Sequence, residues 1–538
     1  MKSTQQPQHH LPLDLPVDLD EAVHRCLVAG FDGTTGVPHT LKRLIDRGLG
    51  GVILFTRNVR DAAQVRRLTD ELRALRPDLL VAIDNEGGGI GHLVAAGAPE
   101  VPGSYALGVV DDPDLTARCA DALAGHLASL GITVSYAPVA DLQHHPDNPI
   151  VRTRSFGADP ELAARHLRAW ITATEARGVA SCAKHFPGHG GTVTDSHHEM
   201  AVDRRSYDEI YADVEPFRAA VAAGVPMLMS AHVVYPALDP ERPATLSRRI
   251  LDDLLRHDLG FEGVLVSDAL EMKAIADRYG EAAGARLALA AGADQVIVAV
   301  PDLATTLACR DAVIDALRDG TLTEERVREA AGRVRKLAER YAGAAGEQGE
   351  GAVGPWDAGA GLEAARRAVR GGSAGVGEGA GLRGGSAGLV GASAVPGGSG
   401  GSGGGVVSVG RGAYVVDLFA PPHPALNWGG EDLLSEVRAL DPMAAGIALN
   451  EAPVDPGALV EGILRCAAGV PLVVATSDAG LYPWQRELRG ALVAGRGDAV
   501  VVETGLPDRA AAFCTYGRGR VNLLALAEVL VGVPVGDV

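Results

Sequence analysis

The chain has 538 residues, enough for two or three domains, or for one barrel-sized domain and a smaller one. Its 49 Lys and Arg residues face 68 Asp and Glu residues, and the resulting net charge of −19 disfavours a protein that binds nucleic acid electrostatically. No apolar run approaches about 20 residues, so we expect no membrane-spanning helix and no membrane partner. The N-terminal stretch MKSTQQPQHHLPLDLPVDLDEAV lacks an apolar core, so we expect no secretory signal.

The cysteines are scattered along the chain and form no CxxC pair. We therefore expect buried free thiols and a protein of the reducing cytoplasm. The six positions are Cys26, Cys119, Cys182, Cys309, Cys466 and Cys514.

Eight short apolar runs alternate with longer amphipathic stretches between residues 26 and 340. Runs of this length, bounded by Gly, Pro or Asp, are typical of strands buried on both faces of a parallel sheet. Helix-like segments such as DAAQVRRLTDELRAL (61–75) and PELAARHLRAWITATEA (160–176) lie between them. The repeats predict a (β/α)8 barrel, with a doubly wound open sheet as the structural alternative. The runs are CLVAGF (26–31), GVILF (51–55), LLVAI (79–83), VSYAPVA (134–140), GVASCAKH (178–185), VPMLMSAH (225–232), GVLVSD (263–268) and QVIVAV (295–300).

Polar, potentially reactive residues stand at the ends of five of these runs. In a barrel the ends of all the strands meet at the C-terminal face, where active sites lie. The shared position therefore predicts one site at that face. The residues are Asp84 and Glu86, Asp141, Lys184 and His185, His232, and Asp268.

The segment 371–405 differs from the rest, because 17 of its 35 residues are Gly and little apolar surface is available for a core. We interpret it as a disordered linker. After it, strand-like runs such as YVVDLF (414–419), PLVVATS (471–477) and DAVVVETG (498–505) alternate with helical stretches such as PWQRELRGALVA (483–494). The predicted organisation is a catalytic barrel at 1–345, a connecting helix and linker at 346–405, and a smaller α/β domain at 406–538.

The most informative motif is KHFPGHGGTVTDSHH (184–198), in which a strand ends in Lys184 and His185 and a Gly-rich loop follows. Asp195 precedes His197 by two residues, so its carboxylate can orient the imidazole and raise its basicity. This arrangement suits a general acid and base. A metal site built from the four histidines is one alternative, although the spacing matches no HExxH or zinc-ribbon pattern, and a purely structural histidine is another.

Two further strand ends carry carboxylates. The run VLVSDALEM presents Asp268, either as a nucleophile or electrostatic stabiliser, or as the N-cap of the next helix. The stretch IDNEGG places Asp84 and Glu86 next to paired glycines, which suits hydrogen bonds to sugar hydroxyls. A Ca²⁺ or Mg²⁺ site is the alternative for this second pair.

These motifs resemble the β-N-acetylglucosaminidase branch of glycoside hydrolase family 3, in its two-domain form. The combination of KHFPGHG with Asp-x-His carries most of the resemblance, which extends over the predicted barrel to about residue 300. Near the C-terminus, AAFCTYGRGRVNLLALAEVLVG (511–532) resembles the end of the second domain of two-domain members. The matching stretches are GVILFTRN (51–58), IDNEGG (83–88), YAPVADLQHHPDNPIVRTRSFGADP (136–160), KHFPGHGGTVTDSHH (184–198), MSAHVVYP (229–236), PATLS (243–247) and FEGVLVSDALEM (261–272).

The resemblance implies a retaining exo-β-N-acetylglucosaminidase that acts on terminal β-linked GlcNAc, plausibly from peptidoglycan fragments, without metal or other cofactor. It implies that Asp268 is the nucleophile and that His197, paired with Asp195, is the general acid and then the base. The same resemblance assigns sugar binding to Asp84, Arg154, Lys184 and His185. Two other functions stay open at this point, namely a β-N-acetylglucosaminide phosphorylase that uses the same site and a non-catalytic sugar-binding protein.

One stretch departs from the family pattern. After EGG the family usually continues Arg-Val-x-Arg-Leu, but this chain has Gly89-Ile90-Gly91-His92-Leu93. Both arginines are missing, and the second of them normally helps to bind the sugar. His92 stands in its place and is therefore a candidate sugar-binding residue.

Overall fold

The computed structural model describes residues 15–346, 355–372, 408–419, 432–508 and 510–533. Eight parallel strands close into a barrel in which each strand pairs with its neighbours along the chain and the last pairs with the first. The predicted barrel is confirmed, and the open-sheet alternative is wrong. The strands are β1 (Leu27–Gly30), β2 (Gly51–Leu54), β3 (Leu80–Ile83), β4 (Val134–Ser135), β5 (Ala180–Phe186), β6 (Met227–Ser230), β7 (Val264–Ala269) and β8 (Gln295–Val298).

The barrel strands are short and apolar because both of their faces are buried. One set of side chains, including Val28, Ile53 and Ile297, fills the interior, and the alternate set packs against the surrounding helices. The helix Glu324–Gly346 closes the end at which the strands begin, since its Leu337 and Tyr341 join the interior cluster. The opposite end is left for the loops that carry the polar residues.

The helices around the barrel follow the amphipathic stretches of the sequence. Asp61 caps Ala62–Leu75 by accepting a hydrogen bond from the Gln64 amide at 2.7 Å, and Asp159 caps Pro160–Ala176 in the same way. The remaining α-helices of the barrel region are Val17–Arg25, His39–Asp46, Ser104–Val110, Pro113–Ser129, Tyr207–Asp213, Glu215–Ala222, Lys273–Ala276, Glu281–Ala291 and Leu303–Arg318.

Shorter elements shape the loops between strands and helices. A small three-stranded sheet is formed by Ala201–Val202, Val233–Tyr235 and Asp239–Pro243, and a two-stranded one by Asn85–Gly87 and Ile90–Gly91. The 3₁₀ turns are Thr56–Asn58, Val94–Ala96, Arg152–Arg154 and Ala244–Leu246, and Arg249–Asp258 is a π-helix.

A second, smaller sheet of five parallel strands lies after the barrel. Its strands are β9 (Tyr414–Leu418), β10 (Ala445–Leu449), β11 (Leu472–Thr476), β12 (Val500–Glu503) and β13 (Phe513–Cys514), and they lie in the order β10-β9-β11-β12-β13. The helices of this unit are Leu433–Leu440, Pro456–Cys466, Pro483–Gly495 and Arg520–Val531. This confirms the predicted smaller α/β unit. The sequence patterns missed β10, which is a half-exposed edge strand, and β13, which has only two residues.

The helix Ala360–Gly372 packs between the two units. Its Ala365 and Val369 contact the helix Arg520–Val531, and its Ala368 joins a cluster with Ala106 of the barrel. The predicted linker segment 371–405 lies, beyond residue 372, outside the described residues. Within the parts of the chain that the structure describes, no helix is both long and apolar enough to cross a membrane.

Candidate active site

The structure gathers the predicted site residues around the C-terminal end of the barrel. Asp84 directly follows β3, Lys184 and His185 lie within β5, and Asp268 lies near the end of β7. Arg154 belongs to the 3₁₀ turn after β4. The loops after β5 and β3 carry the remaining three residues, which are Asp195, His197 and His92.

Two carboxylates and two cations form a buried cluster on one side of this site. Nζ of Lys184 lies 2.6 Å from Oδ1 of Asp84 and 2.6 Å from Oε1 of Glu86. The Arg154 guanidinium donates to both oxygens of Glu86, each at 2.8 Å. The formal charges of the four groups sum to zero, and the paired geometry holds long, flexible side chains in one arrangement.

The contacts within the cluster favour the charged forms of Glu86 and Lys184. Burial alone would raise the pKa of Glu86, but the charges of Arg154 and Lys184 outweigh burial and hold that pKa well below its usual range. Burial alone would lower the pKa of Lys184, but the neighbouring carboxylates of Asp84 and Glu86 raise it above the usual value. The site therefore presents fixed donors and acceptors at neutral pH, as recognition of sugar hydroxyls requires.

His185 is oriented by a second carboxylate, that of Asp141. Nδ1 of His185 lies 2.7 Å from Oδ2 of Asp141, and the other carboxylate oxygen accepts the backbone amides of His185 and His189. Burial by itself would raise the pKa of Asp141, yet the neighbouring His185 lowers it. With Nδ1 held by Asp141, Nε2 is the ring nitrogen that can meet a substrate.

Asp268 lies in strand β7, five residues before the helix Lys273–Ala276, and its Oδ1 accepts the amide of Ala269 at 2.8 Å. Burial opposes ionisation of this carboxyl, but His185, His232 and His197 together lower its pKa below the usual value. Asp268 is therefore ionised at neutral pH, and the N-cap alternative is not what the structure shows.

Asp195 and His197 are in direct contact. Nδ1 of His197 lies 2.8 Å from Oδ1 of Asp195, and the same oxygen accepts the backbone amide of His197 at 2.8 Å. About a quarter of the His197 side chain is exposed (26%), so the ring is accessible from the mouth of the barrel. The charge of His197 is one of the causes of the lowered pKa of Asp268, and both residues belong to the C-terminal end of the barrel.

His92 lies at the edge of the ion cluster. Its Nδ1 is 2.9 Å from Oγ1 of Thr56, and its ring packs edge-on against Phe55 at a centroid distance of 5.3 Å. Burial lowers the pKa of His92, against the opposing effect of Asp84, so the ring is mainly neutral at pH 7. A neutral imidazole cannot supply the two-pronged charged contact of an arginine.

The described residues contain no group of three or more His, Cys, Asp or Glu side chains that could hold a metal ion. The two metal alternatives weighed from the sequence therefore have no candidate ligand set in the described part of the chain.

Two residues that help to build the site, Asn148 and Arg152, were not assigned to it from the sequence, whereas Glu86 and Asp141 were expected at this end of the barrel without an assigned partner. Glu86 and Asp141 follow strand ends, a signal that was visible, but only the structure shows which cation and which ring they hold. Asn148 and Arg152 lie in the stretch HHPDNPIVRTRSFG, which matches the family without any catalytic pattern. Their contacts span tens to hundreds of residues along the chain, so no local pattern could have identified them.

Comparisons with known proteins identify relatives of this chain. A Beta-hexosaminidase of Pseudomonas aeruginosa (strain LESB58) is 43% identical over 255 residues, which cover 46% of this chain and 75% of that protein. A Beta-hexosaminidase of Neisseria meningitidis serogroup C (strain 053442) is 40% identical over 276 residues, or 49% of this chain and 76% of that protein.

The structure of a glycoside hydrolase family 3 beta-N-acetylglucosaminidase from Paenibacillus sp. str. FPU-7 superposes on this chain with a TM-score of 0.81 at 30% identity, over 96% of both chains. The likeness thus includes the second unit as well as the barrel. The family model described as "Glycosyl hydrolase family 3 N terminal domain" matches residues 35–337, more than half of the chain. The chain belongs to glycosyl hydrolase family 3 and is a glycoside hydrolase.

Proposed function

We propose that the protein is a retaining exo-β-N-acetylglucosaminidase that releases GlcNAc from the non-reducing end of β-linked glycosides. The observation that carries this proposal is the contact between Asp195 and His197 beside the ionised Asp268. A carboxylate nucleophile and a separate proton carrier are what a double-displacement mechanism requires. The names of the hexosaminidase relatives and of the Paenibacillus structure support the same substrate class.

In the proposed binding mode, the ion cluster holds the terminal sugar. Asp84 accepts hydrogen bonds from sugar hydroxyls, while Lys184 and Arg154 donate to them. Glu86 fixes both cations through contacts of 2.6 to 2.8 Å. His185, oriented by Asp141, presents Nε2 to the sugar, and His92 offers a further neutral contact.

In the first proposed step, a carboxylate oxygen of Asp268 attacks the anomeric carbon and the glycosidic C–O bond breaks. His197 enters this step as an imidazolium and gives its Nε2 proton to the departing oxygen, so that a neutral alcohol leaves. Asp195 stabilises the imidazolium through its contact with Nδ1. The product is a glycosyl ester of Asp268 with inverted anomeric configuration.

In the second proposed step, the now neutral His197 takes a proton from a water molecule as that water attacks the anomeric carbon. The bond to Asp268 breaks, the carboxylate is restored, and the second inversion gives net retention. His197 is again an imidazolium and is ready for the next cycle.

The test is hydrolysis of p-nitrophenyl β-N-acetylglucosaminide by the full chain, with the products followed by NMR. We expect β-GlcNAc as the first sugar product, with the same rate and product when phosphate is raised at constant ionic strength. The α-anomer as first product would overturn the retaining mechanism. GlcNAc-1-phosphate as the main product would establish the phosphorylase alternative instead, and no turnover of this glycoside would contradict the proposed substrate.

We propose further that the natural substrates are peptidoglycan fragments and that the enzyme acts in the cytoplasm. All six cysteines are unpaired, which supports a reducing compartment. Five of them are buried as expected, but Cys466 is exposed, so the expectation of a buried thiol was wrong there. We also retain the proposed division into a barrel at 1–345, a connecting segment at 346–405 and a second domain at 406–538. Separate apolar clusters in the barrel and in the second sheet support this division.

A further inference from the structure

An ion pair joins the second unit to the loops of the candidate active site. Nη2 of Arg152, in the turn after β4, lies 2.5 Å from Oδ1 of Asp478, which stands two residues beyond the end of β11. Both side chains are more than nine-tenths buried, with exposed fractions of 8% and 9%. The two residues are separated by 326 positions in the chain.

Both residues of this pair have backbones held in an uncommon conformation. Arg152 has φ of 43° and Asp478 has φ of 60°, in the left-handed region that disfavours residues with a side chain. The backbone amide of Asp478 donates a hydrogen bond to Oε1 of Glu503 at 2.7 Å, and the carboxylate of Asp478 accepts one from the backbone amide of Leu506. A strained conformation persists only where the surroundings determine it, and such positions concentrate at functional sites.

From Arg152 a chain of hydrogen bonds leads towards the catalytic loop. The other guanidinium nitrogen, Nη1, donates to the carbonyls of Pro146 and Asn148 at 3.1 and 3.2 Å. The fully buried Asn148 side chain in turn donates to the carbonyls of His189 and Thr192, each at 3.0 Å. Asn148 therefore ties the loop after β4 to the Gly-rich loop after β5.

The last link reaches the residue between the two members of the dyad. Nε2 of His189 lies 3.0 Å from Oγ of Ser196, which stands between Asp195 and His197 in the sequence. His189 is fully buried, and burial lowers its pKa to about 4, so it acts here as a neutral hydrogen-bonding ring. Arg154 lies in the same turn as Arg152 but has a separate anchor in Glu86, whose two carboxylate oxygens accept from its guanidinium at 2.8 Å.

We propose that Asp478 is a positioning residue for the acid–base dyad, acting through Arg152 and Asn148 on the loop that carries Asp195 and His197. The second unit thus completes the catalytic site with a side chain that does not itself touch the substrate. This inference rests on the proposed function, since it concerns the proton-transfer half of that mechanism. It predicts an effect on leaving-group protonation and little effect on sugar binding, because the ion cluster around Arg154 has its own anchors.

The test uses the full chain with Asp478→Asn, which keeps the shape and one acceptor oxygen but removes the charge. Glu528→Gln is the matched control. Glu528 makes a bidentate ion pair, at 2.7 and 2.8 Å, with Arg366 of the helix Ala360–Gly372, and this pair lies outside the site. For each variant, kcat and KM are measured on a methyl and a p-nitrophenyl β-N-acetylglucosaminide. The methyl glycoside needs protonation of its glycosidic oxygen so that methanol can leave, whereas nitrophenolate leaves with little protonation.

We expect Asp478→Asn to lower kcat for the methyl glycoside roughly ten times more than for the nitrophenyl glycoside, with KM nearly unchanged. The loss of kcat on the methyl glycoside, relative to the loss on the nitrophenyl glycoside, should be larger still in Asp478→Ala. In Glu528→Gln, kcat should be unchanged on both substrates. Equal losses of kcat on both substrates, or a rise in KM alone, would overturn the proposal and make Asp478 a purely structural residue.

A second measurement does not depend on activity. Hydrogen–deuterium exchange of the peptide that covers residues 189–197 should become faster in Asp478→Asn and stay unchanged in Glu528→Gln. Unchanged exchange in Asp478→Asn would refute the positioning role. Failure of the wild type to cleave either glycoside would refute the proposed function, while the exchange data would still decide whether Asp478 holds the loop.

Discussion

Glu86 offers the most stringent test of the ion cluster. Its carboxylate is almost fully buried, with 4% of the side chain exposed, and it contacts both Lys184 and Arg154. In Glu86→Gln the amide keeps one acceptor oxygen, but its NH₂ group lies against a cationic donor. The cluster changes from a formal charge of zero to +1, with only Asp84 left to compensate two buried cations.

The expected cost follows from the burial of those cations. Removing one partner of a buried ion pair costs about 3–5 kcal/mol, because the remaining charge is left uncompensated away from water. For a barrel domain of this size, such a loss lowers the Tm by roughly 4–7 °C. Because the folded-state pKa of Glu86 is depressed, its stabilising effect is present above the unfolded-state pKa and is lost as the pH falls through the folded value.

Calorimetric unfolding at pH 7 measures this effect, with Glu329→Gln as the control. Glu329 also bridges two arginines, Arg326 at 2.7 Å and Arg333 at 2.6 Å, but half of its side chain is exposed. Its loss should cost about 1 kcal/mol or less, because solvent screens the pair. If Glu86→Gln melts within about 2 °C of the control, then burial does not make the cluster costly to break, and the argument fails.

Three further predictions concern single carboxyl and imidazole groups. Asp268→Ala should abolish turnover of even an activated aryl glycoside. A mechanism-based fluoro-sugar should label Asp268 in the wild type, and a label on another carboxylate would contradict the assignment of Asp268 as the nucleophile. His197→Ala should impair substrates with poor leaving groups by about 10²- to 10⁴-fold more than nitrophenyl substrates, a difference measured from kcat/KM on both classes. Glu271→Gln should stabilise the fold above pH 6, since burial raises the pKa of Glu271 from 4.5 to about 6 and its ionisation therefore opposes folding. Integrated over that shift, the free energy of unfolding of Glu271→Gln exceeds that of the wild type by about 2 kcal/mol. The variant should therefore have the higher Tm at pH 8, and the difference should vanish below pH 4.5. Equal Tm values of variant and wild type at pH 8 would refute this prediction.

The barrel was predictable because each strand is a short apolar run and each helix an amphipathic one, and both patterns are local. The helix predicted at 160–176 is observed as Pro160–Ala176, where Asp159 caps it and Pro160 starts it. The dyad was predictable for the same reason, because Asp195 and His197 are two residues apart and one oxygen of Asp195 meets both the ring and the amide of His197.

Tertiary structure alone decided which groups meet across the site. Local periodicity carries no information about partners brought together from distant strands, so Glu86 could be noticed beside Asp84 but not paired with Arg154, 68 positions away. The same holds for Asp141 and His185, and most of all for Arg152 and Asp478, 326 positions apart. Edge strand β10 escaped prediction because its half-exposed face lacks the continuous apolar run of a buried strand. The sequence by itself determined the architecture and indicated the candidate reacting groups. The packing of distant segments determined the charge state and orientation of these groups, because desolvation and Coulomb interactions depend on distance in space.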